Sequence, residues 1–257
     1  MKRFVLVGLP ALAVAGALAA HRPAPAAPPI ARVPVVVELF TSEGCSSCPA
    51  ADAALRALES TQPVPGAEVI ALGQHVDYWN RLGWQDPFSS AQFTDRQRAY
   101  AAGFGTGSYT PQAVVNGQVE LVGSNHAALA AAIAKAAQGP RAAVQLARTA
   151  NNLAVTVSDL PAGTPVATVQ LAITETGLAT QVGRGENAGR LLRHAAVVRA
   201  LRPLGPASGT TTFNVPLALR PGWKVENLRA VVLVQDGATR RIVGVASLPL
   251  APEAAVN

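Results

Sequence analysis

Cysteine is almost missing from this chain of 257 residues, which holds only two, and methionine occurs once. Lysine is nearly as scarce, at Lys2, Lys135 and Lys224. The formal charge of +6 therefore rests on arginines scattered along the chain, with Arg240-Arg241 the one adjacent arginine pair. That distribution excludes the clustered basic footprint of a nucleic-acid binder. Past residue 20 no apolar run approaches the roughly 20 residues that span a bilayer. Aromatic residues make up 5% of the chain. There is no glycine-rich phosphate loop, no serine-nucleophile elbow and no paired-carboxylate motif.

The chain starts with Lys2-Arg3, an apolar stretch from Phe4 to Ala20, and the small-x-small pattern Ala17-Leu18-Ala19. This is the layout of a cleavable signal peptide, read over 1–19. A membrane association follows only if that segment stays uncleaved. Residues 20–33 are Pro/Ala-rich and form an extended tether. The expected location is periplasmic or secreted, where disulfides persist.

From 34 to 139 strand and helix signals alternate. "VPVVVELF" (33–40) reads as a buried strand. "PAADAALRALES" (49–60) reads as an amphipathic helix, with Ala51, Leu55 and Leu58 on one face and Asp52, Arg56 and Glu59 on the other. "AEVIALGQHV" (67–76) is a second strand. A helix follows in 87–105, capped by Ser89 or Ser90 and ended by Gly103. Asn116-Gly117 marks a hairpin within 109–123. A last helix runs from Ser124, as cap, toward Gly139. The order β-α-β-α-β-β-α gives a four-stranded mixed sheet with helices on both faces. Beyond Gly139-Pro140, seven short β-rich runs in 140–251 suggest a mainly antiparallel β-sandwich domain. Within it, "RLLRHAAVVRAL" fits a strand or a helix. Residues 252–257 are a tail.

Both cysteines sit in "ELFTSEGCSSCPAADAAL" (38–55), after the first strand and at the start of the first helix. A helix N-terminus offers unpaired N–H groups and the positive end of the dipole, which stabilise a thiolate. Cys45 is then the exposed nucleophile, and Cys48 the resolving thiol. A bridge over two intervening residues closes too short a loop to stabilise a fold strongly, so the spacing favours redox exchange over a local staple.

With Cys45-Ser46-Ser47-Cys48 after a strand and Thr110-Pro111 before one, residues 35–137 resemble the thioredoxin-like superfamily. The resemblance implies a cis-proline at Pro111 opposite the cysteines, with Thr110 presenting its backbone to a substrate chain. A wider resemblance, carried by "ELFTSEGCSSCPAAD", "HVDYWNRLGWQDPFSS", "RQRAY", "YTPQAVVNG" and "GENAGRLLRHAAVVR", is to an uncharacterised family of exported proteobacterial proteins. It implies the same fold and an export route. Many thioredoxins place a buried acid six residues before the first cysteine; here that position is Leu39, with Glu38 on the opposite strand face. Glu43 is near the thiols in sequence, and a negative charge there would raise the Cys45 pKa.

The stretch 74–88 gathers His75, Asp77, Tyr78, Trp79 and Trp84. The resemblance puts it on the edge that carries the cysteines, where His75, Asp77 and Trp79 either wall and tune the site or pack a long loop. Three functions stay open. The first is a thiol–disulfide oxidoreductase without organic cofactor, exchanging disulfides with protein thiol or disulfide partners through Cys45 and Cys48. The second is a Cu(I)- or Zn-handling protein using Cys45, Cys48 and His75. The third is a non-enzymatic binding or scaffold protein whose 45–48 bridge is structural. Glu186, Asn187, Arg190 and His194 form a further polar set in the later half, either a ligand or interdomain contact or a salt-bridged turn.

Overall fold

The computed structural model describes residues 32–149 and 151–251. The signal peptide read at 1–19, the tether as far as residue 31 and the tail at 252–257 lie outside the described residues. No described helix is long and apolar enough to cross a membrane.

The chain runs β1 (Val33–Thr41), α1 (Cys48–Thr61), β2 (Ala67–His75), α2 (Ala91–Phe104), β3 (Gln112–Val115), β4 (Val119–Val122) and α3 (His126–Ala136). It continues through β5 (Ala143–Thr149), β6 (Asn152–Ser158), β7 (Ala167–Glu175), β8 (Ala179–Gln181) and β9 (Leu191–Arg193). The last elements are β10 (Val197–Ala207), β11 (Thr211–Pro216), β12 (Leu228–Asp236) and β13 (Ile242–Pro249). The protein is thus a mixed α/β fold dominated by one large sheet.

β1 and β2 are parallel because α1 carries the chain back between them, while β3 joins β1 and β4 antiparallel. Asn116 and Gly117 both have positive φ, 46° and 64°, as a two-residue hairpin turn requires. Two helix limits differ from the sequence reading. Gly103 lies inside α2, which Gly105 ends at φ 67°, and the cap of α3 is Asn125, whose side chain accepts from the Ala128 N–H. Ser90 caps α2 through the Gln92 N–H.

The four-stranded sheet expected for the first half does not stop at β2. Val197 of β10 bridges to Gly73 of β2, and the strand order becomes β13-β12-β7-β10-β2-β1-β3-β4. Gly73 permits this approach, since a Cβ there would lie 2.5 Å from the Ala195 carbonyl oxygen. The sheet curls until its far end meets the β3–β4 turn, where the Ile242 N–H donates to the Asn116 carbonyl.

α1 and α3 cover one face of β1, β2 and β3, burying Leu55, Leu58, Leu129 and Ile133 against Val35, Val37, Val69 and Val115. α2 lies on the other face, with Phe93 against Val36, Ile70 and Leu72. A separate three-stranded sheet, β11-β6-β5, packs on β7, β12 and β13 around Leu153, Val155, Val169, Leu171 and Val232. The ambiguous "RLLRHAAVVRAL" segment is strand on both sides of a break, β9 and then β10. The break falls at His194 to Ala196, where Ala196 has φ 26°.

Candidate functional site

The turn between β1 and α1 holds Cys45 and leads to Cys48, the first residue of α1, with Pro49 just inside the helix, where a missing N–H costs nothing. The two sulfurs form a disulfide. Cys45 differs from its expected exposure: it is 1% exposed, and Ser46 and Ser47 are the residues at the surface. The cover comes from the later half of the chain. Asn187, fully buried, donates from Nδ2 to the carbonyls of Glu43 and Cys45, each at 2.9 Å. Glu186 accepts from the Ser46 N–H at 2.9 Å, and Arg190 steadies Asn187 through its Oδ1 at 2.7 Å. The 183–190 loop turns tightly against Trp84, which lies against Gly183 and against Gly185 at φ 78°.

Trp79 forms a second wall. Its Cβ lies beside Gly44, where an added methyl would sit 3.2 Å away, and its Nε1 donates to Thr110 Oγ1 at 2.8 Å. The Thr110–Pro111 peptide is cis and leads into β3, with Pro111 near Ala51 of α1 across Gly123. Thr110, Pro111, Trp79 and the cysteine turn are therefore neighbours.

Beneath the turn lies a buried polar cluster. His75, the last residue of β2, is 1% exposed and shares a 2.7 Å Nδ1–Oδ2 contact with Asp86. Asp86 also accepts the Glu43 N–H at 2.8 Å and the Phe88 N–H at 2.9 Å. Burial acts to raise the Asp86 pKa, but the His75 charge and these hydrogen bonds outweigh it and hold the carboxyl below its usual value. For His75, burial acts downward, while Asp86 first and then Asp52 and Glu43 pull upward, and the net shift is up. Asp77 stands apart from this pair; its Oδ1 accepts from Thr94 Oγ1 at 2.6 Å.

Glu43 points away from bulk water, accepting from Trp84 Nε1 at 2.7 Å and lying 2.9 Å from His194 Nε2 as a charge contact without hydrogen-bond alignment. The rings of His75, His194 and Phe88 stack edge to face, with the two histidine centroids 4.9 Å apart. Asp52 completes the group from α1. Thr41 Oγ1 donates to its Oδ2 at 3.0 Å, and burial raises its pKa.

Asp52 and Asp86 were not selected by sequence reasoning, and His194 was read only as part of a separate polar set in the later half. Asp52 reads as part of the polar face of α1, and it is buried because β9 and its flanks cover that face, with Arg56 donating to the Arg193 carbonyl. The one signal in the sequence was the polar set around Asn187 and His194, whose destination the sequence does not disclose. Cys45, Cys48, Glu43, His75, Trp79, Thr110 and Pro111 do converge; Asp77 does not.

The fold and site define a mixed α/β protein with a disulfide at a helix N-terminus, covered by a later loop. The chain belongs to the family described as "Protein of unknown function (DUF1223)", which matches residues 36–235. A crystal structure of an Agrobacterium tumefaciens protein is similar at 31% identity and TM-score 0.70, covering 88% of this chain and 98% of that one. A domain of the outer membrane lipoprotein Omp28 from Porphyromonas gingivalis matches at 15% identity over 45% of this chain and 92% of that chain, with a TM-score of 0.26. That likeness carries no argument. No curated protein matches the chain.

Proposed function

We propose that this protein is an exported thiol–disulfide oxidoreductase with a thioredoxin-like frame over 34–139, to which the sandwich-like 140–251 region adds the cover of the site. The observation that carries the reading is the Cys45–Cys48 bridge at the N-terminus of α1, one helical turn before the buried carboxyl of Asp52. Residues four apart share a helix face, so Asp52 lies on the Cys48 side. In the metal-free protein it supplies the proton acceptor that Leu39 does not. The strand order β2-β1-β3-β4, with helices on both faces, supports the frame. Export rests on the leader read in the sequence.

In the reaction, a partner thiolate attacks the Cys45–Cys48 bond and leaves Cys48 as thiolate, giving a mixed disulfide on Cys45. A second partner thiol then releases Cys45, so the partner is oxidised and the pair reduced; the reverse runs from reduced Cys45. Trp79, Thr110 and Pro111 line the approach. The burial of Cys45 favours one other reading, a structural bridge in a binding protein.

The reduction potential, from a thiol-alkylation gel shift across a glutathione series, separates the two. A potential between about −120 and −270 mV lies among working oxidoreductases and supports exchange. One below about −300 mV marks a structural bridge and sinks the proposal.

A further inference from the structure

The three donors Asp52, His75 and His194 come from α1, the end of β2 and the β9–β10 break. One ligating atom of each lies within 4.8 Å of the others, and all three residues are buried. Buried polar atoms normally find partners. Here Asp52 Oδ1, His75 Nε2 and both ring nitrogens of His194 have none.

The way two of the three side chains are held on their far side is the stronger observation. Asp52 is fixed through Oδ2 by Thr41, and His75 through Nδ1 by Asp86. His194 faces the Glu43 carboxylate through Nε2. A histidine whose second nitrogen is held by a carboxylate is the usual state of a metal ligand, because the outer partner fixes the ring and raises its basicity. With Nδ1 donating to Asp86, the His75 Nε2 lone pair is free. Packing of the two imidazoles and Phe88 excludes bulk water from the group.

We infer that Asp52, His75 and His194 form a site for a divalent transition ion of the zinc class, with Thr41, Asp86 and Glu43 as its outer shell. Two imidazoles and one carboxylate are ligands that such ions accept, leaving at least one position open. Ligand bonds of about 2.0–2.2 Å require the three donors, which lie within 4.8 Å of one another, to draw closer together. This ligand set contains neither cysteine, so the oxidised protein binds the ion. The ion and a proton compete for the same Asp52 oxygen, and binding rather than turnover is therefore the quantity to measure.

The test is calorimetric titration of the full, oxidised, chelator-treated chain with Zn²⁺, and Co²⁺ spectroscopy of the same sample. One equivalent should bind and raise the melting temperature, and the cobalt spectrum should show d–d bands without a sulfur charge-transfer band. Asp52→Asn and His194→Gln should each weaken binding by more than the roughly 10–100-fold expected when an outer partner is lost. Asp86→Asn should fall inside that range, and Cys45→Ser/Cys48→Ser should bind as tightly as the parent. Absence of stoichiometric binding by the parent chain would overturn the assignment and leave water as the partner of these atoms. So would affinity unchanged in the folded Asp52→Asn and His194→Gln proteins, or binding that appears only on reduction and vanishes with the cysteines. The melting-temperature shift of the parent chain keeps the test decisive if a variant fails to fold.

Discussion

β1 carries a buried polar network on each side, and the two are built in opposite ways. On the α2 side, Glu38 is fully buried and saturated. Arg96 grips it with Nε at 2.5 Å and Nη2 at 3.0 Å, Tyr100 donates at 2.6 Å, and Gln74 donates to Oε2. Arg96 and Tyr100 reach on to Gln170 and Gln235, so the network ties α2 to β7 and β12. Burial, then the Glu38 charge, push the Tyr100 hydroxyl well above its usual pKa, which keeps it a donor. On the α1 side, Asp52, His75 and His194 keep free donor and acceptor atoms at equal depth. A carboxylate whose oxygens are filled in this way stabilises the fold and has no further chemistry to offer. A network with unpaired atoms costs stability and is tolerated where a ligand, proton or ion uses it.

Four substitutions sharpen that contrast. Arg96→Met strands a buried carboxylate and should cost about 3–5 kcal/mol in denaturant unfolding; a loss under 1 kcal/mol would mean that the saturated network contributes little. Asn187→Ala removes two donors from buried carbonyls and should cost about 1–3 kcal/mol. The same variant should also speed alkylation of reduced Cys45 at least severalfold. An unchanged alkylation rate would show that the 183–190 loop does not limit access.

Asp52→Asn should do the reverse and raise the melting temperature of chelator-treated protein by a few degrees at neutral pH. Burial raises the folded pKa of this acid above 3.8. The folded state therefore holds the proton more tightly than the unfolded chain, and ionisation costs stability as pH rises from 3.8 through the folded value. The gain from Asn should shrink to nothing toward pH 3, and a gain that persists there would place its origin elsewhere. Glu186→Gln, at the exposed Ser46 contact, should leave the melting temperature unmoved while modestly raising the rate of Cys45 reduction. A large thermal shift would contradict the surface character of that contact.

Much of this was legible in the chain because its causes are local. Alternating β-branched runs, Asn116-Gly117 and the Ser90 cap each act within a few residues. The cysteine pair announces itself by its spacing. What was not legible depends on partners far along the chain. Asp52 looks solvent-facing until β9 covers α1. His75 lies two residues from Asp77 and eleven from Asp86, yet β2 ends so that the ring meets Asp86. Cys45 reads as exposed because the Asn187 that covers its turn is 142 residues away. The continuation of the sheet from β2 to β10 hung on a glycine, Gly73, whose neighbour could not be read in advance.

The Asn187 contacts and the Val197–Gly73 bridge also set a time order. Contacts of such long sequence separation form late, since their loop closure must wait for intervening structure. During synthesis the early strands and α1 emerge well before residues 186–197 exist. The two thiols must therefore spend that interval uncovered, open to oxidants and to other chains, and become sheltered only when β10 docks. Resistance of reduced Cys45 to alkylation is in this sense a late reporter of complete folding, and a chain truncated before residue 187 would never acquire it.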